Sequence, residues 1–319
     1  MNATIEHSKY RQISFWIVIA FFLLCPVIAA KEPYILHILI IVVIYTTLVW
    51  GLDLLLDCAL ISCAQIAFWG IGSYTFALLT LKCGWNPWVA LISAGIVPAI
   101  ISALLSYSSV NLKTMYWCLF SLVFAVAFHE ILFVWRTFLG GAEGIRGIPK
   151  LPLITSRAEW YYLAYLLLLL IGGVIYQLRQ SRIGLILRGV RISEELARST
   201  GISIIRCRLL CLVLANFFAG IMGGFYAAYT GALSPFNLEL DAMFFLYVYL
   251  IVGGKGSLGG CLAGTALLIF IRELLGPFGM YVPIVYGTIV IIFVTLIPGG
   301  LVSLPGRLLG YFEQVQTQR

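Results

Sequence analysis

Charged side chains are scarce in this sequence. Asp, Glu, Lys and Arg make up 10% of its 319 residues, whereas a soluble globular domain has about 25%. Hydrophobic residues make up 62%, and the mean hydropathy is +1.03. This composition excludes a soluble domain with a core of its own, and it favours a chain that lies in a lipid bilayer.

Motifs for catalysis and metal binding are also missing. The sequence has no H-E-x-x-H or G-x-S-x-G motif, and no carboxylate pair in a plausible shared cleft. Its eight cysteines form no C-x-x-C pair, and its three histidines are dispersed. GGKGSLGG (253–260) matches G-x-G-x-x-G only formally, because apolar helices flank it. We therefore predict no metal site, no cofactor bound by this chain and no enzymatic activity.

Long hydrophobic runs dominate what is present. A helix needs about 20 apolar residues to cross a bilayer, and most of the runs meet that length. The short run at 240–253 and the Gly- and Gln-containing run at 58–81 favour discontinuous or tilted helices. We predict a single all-α polytopic membrane domain over residues 1–319, with about ten transmembrane helices. The runs span residues 13–30, 34–56, 58–81, 87–107, 112–135, 160–178, 208–230, 240–253, 257–275 and 281–298.

The distribution of positive charge predicts the orientation. Seven arginines lie in RQSRIGLILRGVRISEELARSTGISIIRCR (179–208), and cytoplasmic loops carry an excess of Lys and Arg. With about ten spans, this places both termini in the cytoplasm and the loop at 136–159 outside. The net charge of +7 then reflects topology, and no known nucleic-acid module accompanies it. We expect no nucleic-acid partner.

The predicted cytoplasmic loop at 179–207 has a regular spacing of apolar residues in addition to the positive charge that sets the orientation. Apolar residues alternate with Arg and Glu from residue 184 to 200, which predicts one or two short amphipathic helices. Gly189 and Gly201 punctuate them, and Ser193 is a candidate N-cap. Two interpretations stay open: the loop lies on anionic lipid headgroups, or it docks a cytosolic partner.

Three further groups of residues are candidates for specific roles. In the outer stretch LGGAEGIRGIPKLP (139–152), Gly144, Gly147 and Pro149 indicate either a flexible loop or a shaped loop that meets a delivery protein or the substrate. Polar residues at membrane depth are functional candidates, and Gln65 and Glu130 are the deepest, whereas solvation is expected for Asp53 and Asp57 near span ends. The remaining candidates, for close helix packing, are Gly256, Gly260 and Gly264.

Beside one loop motif shared by bacterial ABC importers, five ordered motifs resemble the M-type permease family of branched-chain amino acid ABC importers, whose relatives import urea and short amides. ELARSTG (195–201) fits the E-x-A-x-x-x-G core of the importers' cytoplasmic loop. ALISCAQIAFWGIGSY (59–74) resembles G-x-L-S-L-G-H-A-A-F-F-G-I-G-A-Y, and LGGAEGIRGIP (139–149) resembles T-G-G-x-x-G-I-x-G-I-P. SRIGLILRGVR (181–191) resembles S-x-I-G-R-A-L-R-A-I-R. LSPFN (233–237) and VGGKGSLGGCLAG (252–264) resemble I-S-P and G-G-x-G-S-x-x-G-x-x-x-G.

The resemblance implies a pathway-forming subunit, built from two inverted halves, in the bacterial cytoplasmic (inner) membrane. Its partners would be a second homologous permease, two cytosolic ATPases that use ATP and Mg, a periplasmic binding protein and membrane lipids. Glu195, Ala197 and Gly201 fall in the ATPase-coupling loop, with Arg188 just upstream. Glu130 matches an acidic position of the family's fifth-span G-E-I segment, and Gln65 belongs to the third-span motif.

The sequence also departs from the family pattern. Ala64 and Gln65 stand where the family has Gly-His, and residues 211–214 read CLVL where many importers have I-x-L-P. These departures leave the substrate and the ATPase assignment open. Import of branched-chain amino acids is the leading hypothesis, and import of urea or short amides is the first alternative. An ATP-independent secondary transporter that uses Glu130 is the second.

Overall fold

The computed structural model of the protein describes residues 33–109, 114–238, 240–276, 281–296 and 300–301. The predicted first span at 13–30 and both predicted cytoplasmic termini lie outside these ranges. The described helices are α1 Pro33–Leu56, α2 Gln65–Leu81, α3 Pro87–Ser109, α4 Thr114–Val134, α5 Arg136–Leu139, α6 Arg157–Gln180, α7 Arg182–Ile192, α8 Glu194–Ser199, α9 Ile204–Thr230, α10 Leu240–Gly253, α11 Leu258–Leu274 and α12 Val282–Leu296.

Five of these helices are long and apolar enough to cross a membrane, and shorter apolar helices accompany them. The non-helical stretch before α2 agrees with the predicted interruption of the run at 58–81, and α10 matches the short run at 240–253. The described residues contain one two-stranded antiparallel ribbon, formed by β1 (Ile145–Arg146) and β2 (Ala232–Leu233). The protein is therefore an all-α, multi-pass membrane protein with a small β-ribbon. The long helices, as candidate spans, cover Tyr34–Leu56, Pro87–Tyr107, Thr114–Val134, Arg157–Gln180 and Ile204–Thr230.

Helix α1 runs through the centre of the protein. Residues around its whole circumference are buried, including Ile40, Leu48 and Trp50, and the Trp50 indole donates a hydrogen bond of 3.0 Å to the Leu258 carbonyl. A helix that is apolar on every side is typical of such a buried position. Helices α6, α9, α10 and α11 surround it.

Small residues allow α2, α3 and α9 to pack closely. A Cβ at Gly72 in α2 would lie 2.4 Å from the Gly220 carbonyl oxygen in α9, and a Cβ at Gly220 would lie 2.2 Å from the Ala94 carbonyl oxygen in α3. Helix backbones in membranes approach this closely only where side chains are minimal. These crossings fix α9 against α2 and α3, and the first turn of α9 belongs to the predicted coupling loop.

Candidate coupling site

Two short helices, α7 and α8, form the predicted cytoplasmic loop. The Ser181 hydroxyl at the start of α7 accepts a hydrogen bond from the Gly184 amide at 3.5 Å. The Ser193 hydroxyl accepts one from the Leu196 amide at 3.3 Å, so Ser193 is the N-cap of α8 as predicted. Gly201 has φ +81° and follows α8, which agrees with its predicted role at the helix end. Gly189 differs from the prediction because it lies inside α7.

The four predicted coupling residues divide into two groups. Arg188 and Glu195 are exposed, as is Gly201, whereas Ala197 is buried in a cluster with Val190 and Ile204. Ala197 therefore holds α8 against α7 and α9. Arg188 and Glu195 face outward. Large apolar side chains share the outward surface: Leu185 is 65% exposed, Ile192 83% and Leu196 64%. We call α7 and α8, with these exposed side chains, the coupling element.

A buried ion-pair network anchors the coupling element on one side. At the end of α6, the Arg179 guanidinium donates from Nε to Asp57 and from Nη2 to Asp53, both at 2.8 Å. Asp53 is fully buried near the end of α1, and Asp57 follows that helix. Arg191 in α7 then reaches Asp57 Oδ1 at 3.3 Å. Charges this deep need partners, and here the partners join α1, α6 and α7.

Asp53 also holds the connection between α10 and α11. The Gly256 amide donates to Asp53 Oδ1 at 2.8 Å, and Gly256 has φ +80°, a conformation that favours glycine. Burial raises the pKa of the Asp57 carboxyl, and the Arg179 guanidinium opposes that rise. The charge of this carboxylate therefore depends on its arginine partners.

A second buried arginine anchors the coupling element from the other side. Arg208, in the second turn of α9, is 1% exposed and forms an ion pair with Glu194 at the start of α8. Together with the Arg191–Asp57 pair, this contact ties both helices of the element to the membrane-spanning core. A displacement of the coupling element is thereby linked to α1, α6 and α9.

Asp53 and Asp57 are not solvated, contrary to the prediction for residues near span ends. Both are buried and paired with Arg179. A signal was present, because residues four apart share one face of a helix and an arginine ends the run that α6 forms. Nothing in the spacing of residues 53 and 179 shows that those two helix ends meet, so the partnership could not be read from the sequence.

The predicted pathway residues Gln65 and Glu130 have different environments and different partners. Gln65 is fully buried at the start of α2, and its amide donates to the Ala215 carbonyl at 3.3 Å, while its carbonyl oxygen has no partner among the described residues. The Glu130 side chain is 68% exposed on α4, and its Oε1 atom lies 3.9 Å from Nδ1 of His129. Gln65 therefore joins helices, and Glu130 faces the surface of this chain.

The predicted outer loop has a defined fold. Gly144 has φ +71°, and a Cβ there would lie 1.9 Å from the Leu233 carbonyl oxygen, so β1 approaches β2 through a glycine. Gly147 has φ +75° and open space around it, and Pro149 is exposed just beyond it. The Ile148 amide extends the ribbon with a hydrogen bond of 3.0 Å to the Gly231 carbonyl. These residues favour the shaped-loop interpretation.

The predicted glycine stripe is only partly present. A Cβ at Gly264 in α11 would lie 2.5 Å from the Gly253 Cα in α10, and a Cβ at Gly253 would lie 2.6 Å from the Gly260 carbonyl oxygen. Gly260 and Gly264 thus lie at a close helix crossing. Gly256 precedes α11 and contacts Asp53 instead, so a packing role for Gly256 is a mistaken prediction.

Comparison with known proteins decides the family. The family model described as "Branched-chain amino acid transport system / permease component" matches residues 34–297. The chain belongs to this family. The match covers all five long apolar helices and the coupling element.

Individual members of the family show a more distant likeness. The chain is 28% identical to the high-affinity branched-chain amino acid transport system permease protein LivM of Salmonella typhimurium, over 74% of this chain and 62% of that protein. The Escherichia coli LivM gives the same identity and coverage. The guanosine ABC transporter permease protein NupQ of Bacillus subtilis is 23% identical over 67% of this chain and 72% of its own length. No solved structure matched this chain.

Proposed function

We propose that this chain is the permease subunit of an ABC importer that carries branched-chain amino acids across the cytoplasmic membrane. The family description and the names of the LivM relatives support this substrate. In the proposed complex, a second permease subunit completes the pathway, two ATPases bind ATP and Mg, and a periplasmic binding protein delivers the substrate. This chain itself carries out transport and no catalysis.

The coupling element is the observation that carries the proposal. Its outward side exposes Leu185, Ile192 and Leu196 beside Arg188 and Glu195, and apolar surface with a polar rim marks interaction sites. Its inward side is fixed by ion pairs to two buried residues of the core, Asp57 and Arg208. An ATPase that moves this element would therefore move α1 and α6 through the Arg191–Asp57 pair and α9 through the Glu194–Arg208 pair.

The exposed side of α4 supports a pathway shared with a second subunit. This side is apolar except for Glu130, and a carboxylate in contact with lipid chains is costly. The simplest arrangement that avoids this cost places protein or water, and not lipid chains, against the exposed side of α4. Glu130 would then face the substrate route, as the family resemblance implies. The exposed side chains recur at helical spacing: Met115, Leu119, Val123, Glu130 and Val134.

A nucleoside is the second candidate substrate, because the relative from Bacillus subtilis is named a guanosine permease. In binding-protein-dependent import, the binding protein selects the substrate. Titration calorimetry of the partner binding protein with leucine and with guanosine separates the two candidates. We expect leucine to bind and guanosine to give no heat; the reverse result would transfer the proposal to nucleosides.

Co-purification tests the coupling element itself. Leu196→Asp places a charge in the proposed ATPase interface, and we expect at least a tenfold loss of ATPase retained on the tagged permease, since an unpaired buried charge costs more than the roughly 1.4 kcal/mol of a tenfold change. Leu153→Asp is the matched control, because Leu153 is 91% exposed in the outer loop. Equal ATPase retention by both variants would remove the docking role from α8.

A further inference from the structure

The outward side of the coupling element contains a glycine that the described fold does not require. Gly189 lies in the middle of α7, four residues after Leu185 and three before Ile192, so all three share one side of the helix. A Cβ at Gly189 would have no atom of the described residues within 4 Å. Glycine in a helix interior is destabilising relative to alanine, and no packing contact with a described residue offsets that loss.

Buried residues define the opposite side of α7. Gly184, Leu187 and Val190 are buried, and Leu187 lies about 160° around the helix from Gly189, since each residue adds about 100°. The same buried side reaches the core through the ion pair between Arg191 and Asp57. Gly189 is therefore turned away from the membrane-spanning core, where the backbone of a partner can approach α7 closely.

The exposed charge around Gly189 is mostly positive. On the coupling element and the adjoining first turn of α9, four exposed arginines form no ion pair with a described residue. Glu195 is the one exposed carboxylate of this region in the part of the chain that the structure describes. The four arginines are Arg182, Arg188, Arg198 and Arg206.

The residues outside the described ranges do not neutralise this charge. The stretches predicted to lie on the same side, 1–12, 110–113 and 302–319, contain five cations and two carboxylates. Ion pairing between these stretches and the coupling element leaves the sum of their charges unchanged, so this side stays positive. Its complementary partner is acidic. The charged residues of the three stretches are Lys9, Arg11, Lys113, Arg307 and Arg319, with Glu6 and Glu313.

Gly189 distinguishes an acidic protein from an anionic lipid surface. Membrane binding of a helix increases with the apolar area that it buries, and a bare backbone at position 189 adds no such area. A protein gains shape complementarity where glycine exposes the backbone. Arg182 and Arg188 lie on opposite flanks of the side that carries Leu185, Gly189 and Ile192. An apolar centre with a polar rim is typical of protein interfaces.

We propose that the partner of the coupling element presents an apolar groove with an acidic rim, and that its backbone approaches α7 at Gly189. The inference rests on the proposed function, because the partner is the ATPase of that complex. Leu185 and Ile192 enter the groove, and carboxylates on its rim pair with Arg182 and Arg188. Arginine suits this role, since its planar guanidinium pairs with a carboxylate through two parallel hydrogen bonds.

A substitution at Gly189 separates docking from folding. Gly189→Leu fills the space that the proposed approach requires, and we expect the ATPase retained on the tagged full chain to fall at least about tenfold. The melting temperature of the chain should stay the same or rise, because leucine is a better helix former than glycine. Gly287→Leu is the matched control, since Gly287 also has open space around it but lies in α12. It should retain the ATPase at the wild-type level.

Charge reversal tests the acidic rim. Arg182→Glu/Arg198→Glu places two carboxylates opposite those of the proposed groove, and we expect at least about a tenfold loss of retained ATPase at low salt. Rising salt should release the ATPase from the wild type, because salt screens exposed charges. Arg146→Glu/Lys150→Glu, at exposed positions of the outer loop, is the matched control and should retain the ATPase. If Gly189→Leu does not fold, the reversal at these exposed arginines decides.

Three results would overturn the inference and leave the proposed function intact. Equal ATPase retention by Gly189→Leu and the wild type removes the close approach at that residue. Retention that is independent of salt and of the charge reversal removes the acidic rim. Loss of bound phosphatidylglycerol from the reversal variant, counted by native mass spectrometry, without loss of ATPase assigns the arginines to the membrane surface. A wild-type chain that retains no ATPase contradicts the proposed function itself.

Discussion

Among single residues, Arg179 is central to the ion-pair network, because it binds two buried carboxylates at once. Arg179→Gln leaves Asp53 and Asp57 buried without their main partner. We expect this to lower the free energy of unfolding by about 3–5 kcal/mol, measured by denaturant titration of the protein in lipid nanodiscs. Arg188→Gln, at an exposed position of the same loop region, should change it by less than about 0.5 kcal/mol.

A variant that also removes the carboxylate charges distinguishes the effect of unpaired buried charge on stability from the effect of lost side-chain packing. Asp53→Asn and Asp57→Asn, added to Arg179→Gln, remove the buried charges that the arginine otherwise compensates. Residues in one network are not additive, so the triple variant should be more stable than Arg179→Gln alone. A triple variant that is less stable would show that the network does not act through charge.

The outer loop offers a matched pair of glycines. Gly144 and Gly147 both have positive φ, but only Gly144 would clash on gaining a Cβ. Gly147→Ala should cost about 1 kcal/mol from its backbone conformation alone. Gly144→Ala adds the clash with Leu233 and should detach β1 from β2, so that trypsin cleaves after Arg146 or Lys150 faster than in Gly147→Ala. Equal cleavage rates would show that the ribbon does not depend on this contact.

At the element scale, helices were more predictable than their partners. The boundaries of α10 and the cap of α8 followed from Gly253 and Ser193, because hydrophobic period and capping are local signals. The Asp53–Gly256 and Glu194–Arg208 contacts did not follow from the sequence. No local sequence signal indicates that these residues, which are separated along the chain, lie close together in the fold. Gly256 illustrates the difference: its spacing fits a stripe, but the helix begins only at Leu258.

The crossing of α10 and α11 gives an element-scale prediction. Gly264→Ala places a methyl group within 2.5 Å of the Gly253 backbone, and such overpacking typically costs about 1–3 kcal/mol. We expect a lower melting temperature for the purified protein. Gly287→Ala is the control, because Gly287 lies inside α12 with open space around it, and alanine there should not lower the melting temperature. An unchanged Gly264→Ala protein would contradict the close crossing.

At the scale of the whole molecule, composition alone indicated a polytopic helical membrane protein. Long hydrophobic runs make up most of the sequence, and the lipid bilayer is the environment that accommodates so many of them. The family match covers residues 34–297. What composition could not predict is the arrangement in which one exposed element is bound, through buried charges, to helices on both of its flanks. That arrangement requires three-dimensional contacts between α1, α6, α7, α8 and α9.

Transport by the reconstituted complex tests the proposed function and the role of the coupling element together. Proteoliposomes that contain this chain, its second permease and both ATPases are supplied with leucine-loaded binding protein, and radiolabelled leucine uptake is measured with and without ATP. We predict uptake only with ATP, and a loss of at least tenfold in the Leu196→Asp variant but not in Leu153→Asp. Leucine uptake at the same rate by this chain alone, without ATPases or ATP, would contradict the account.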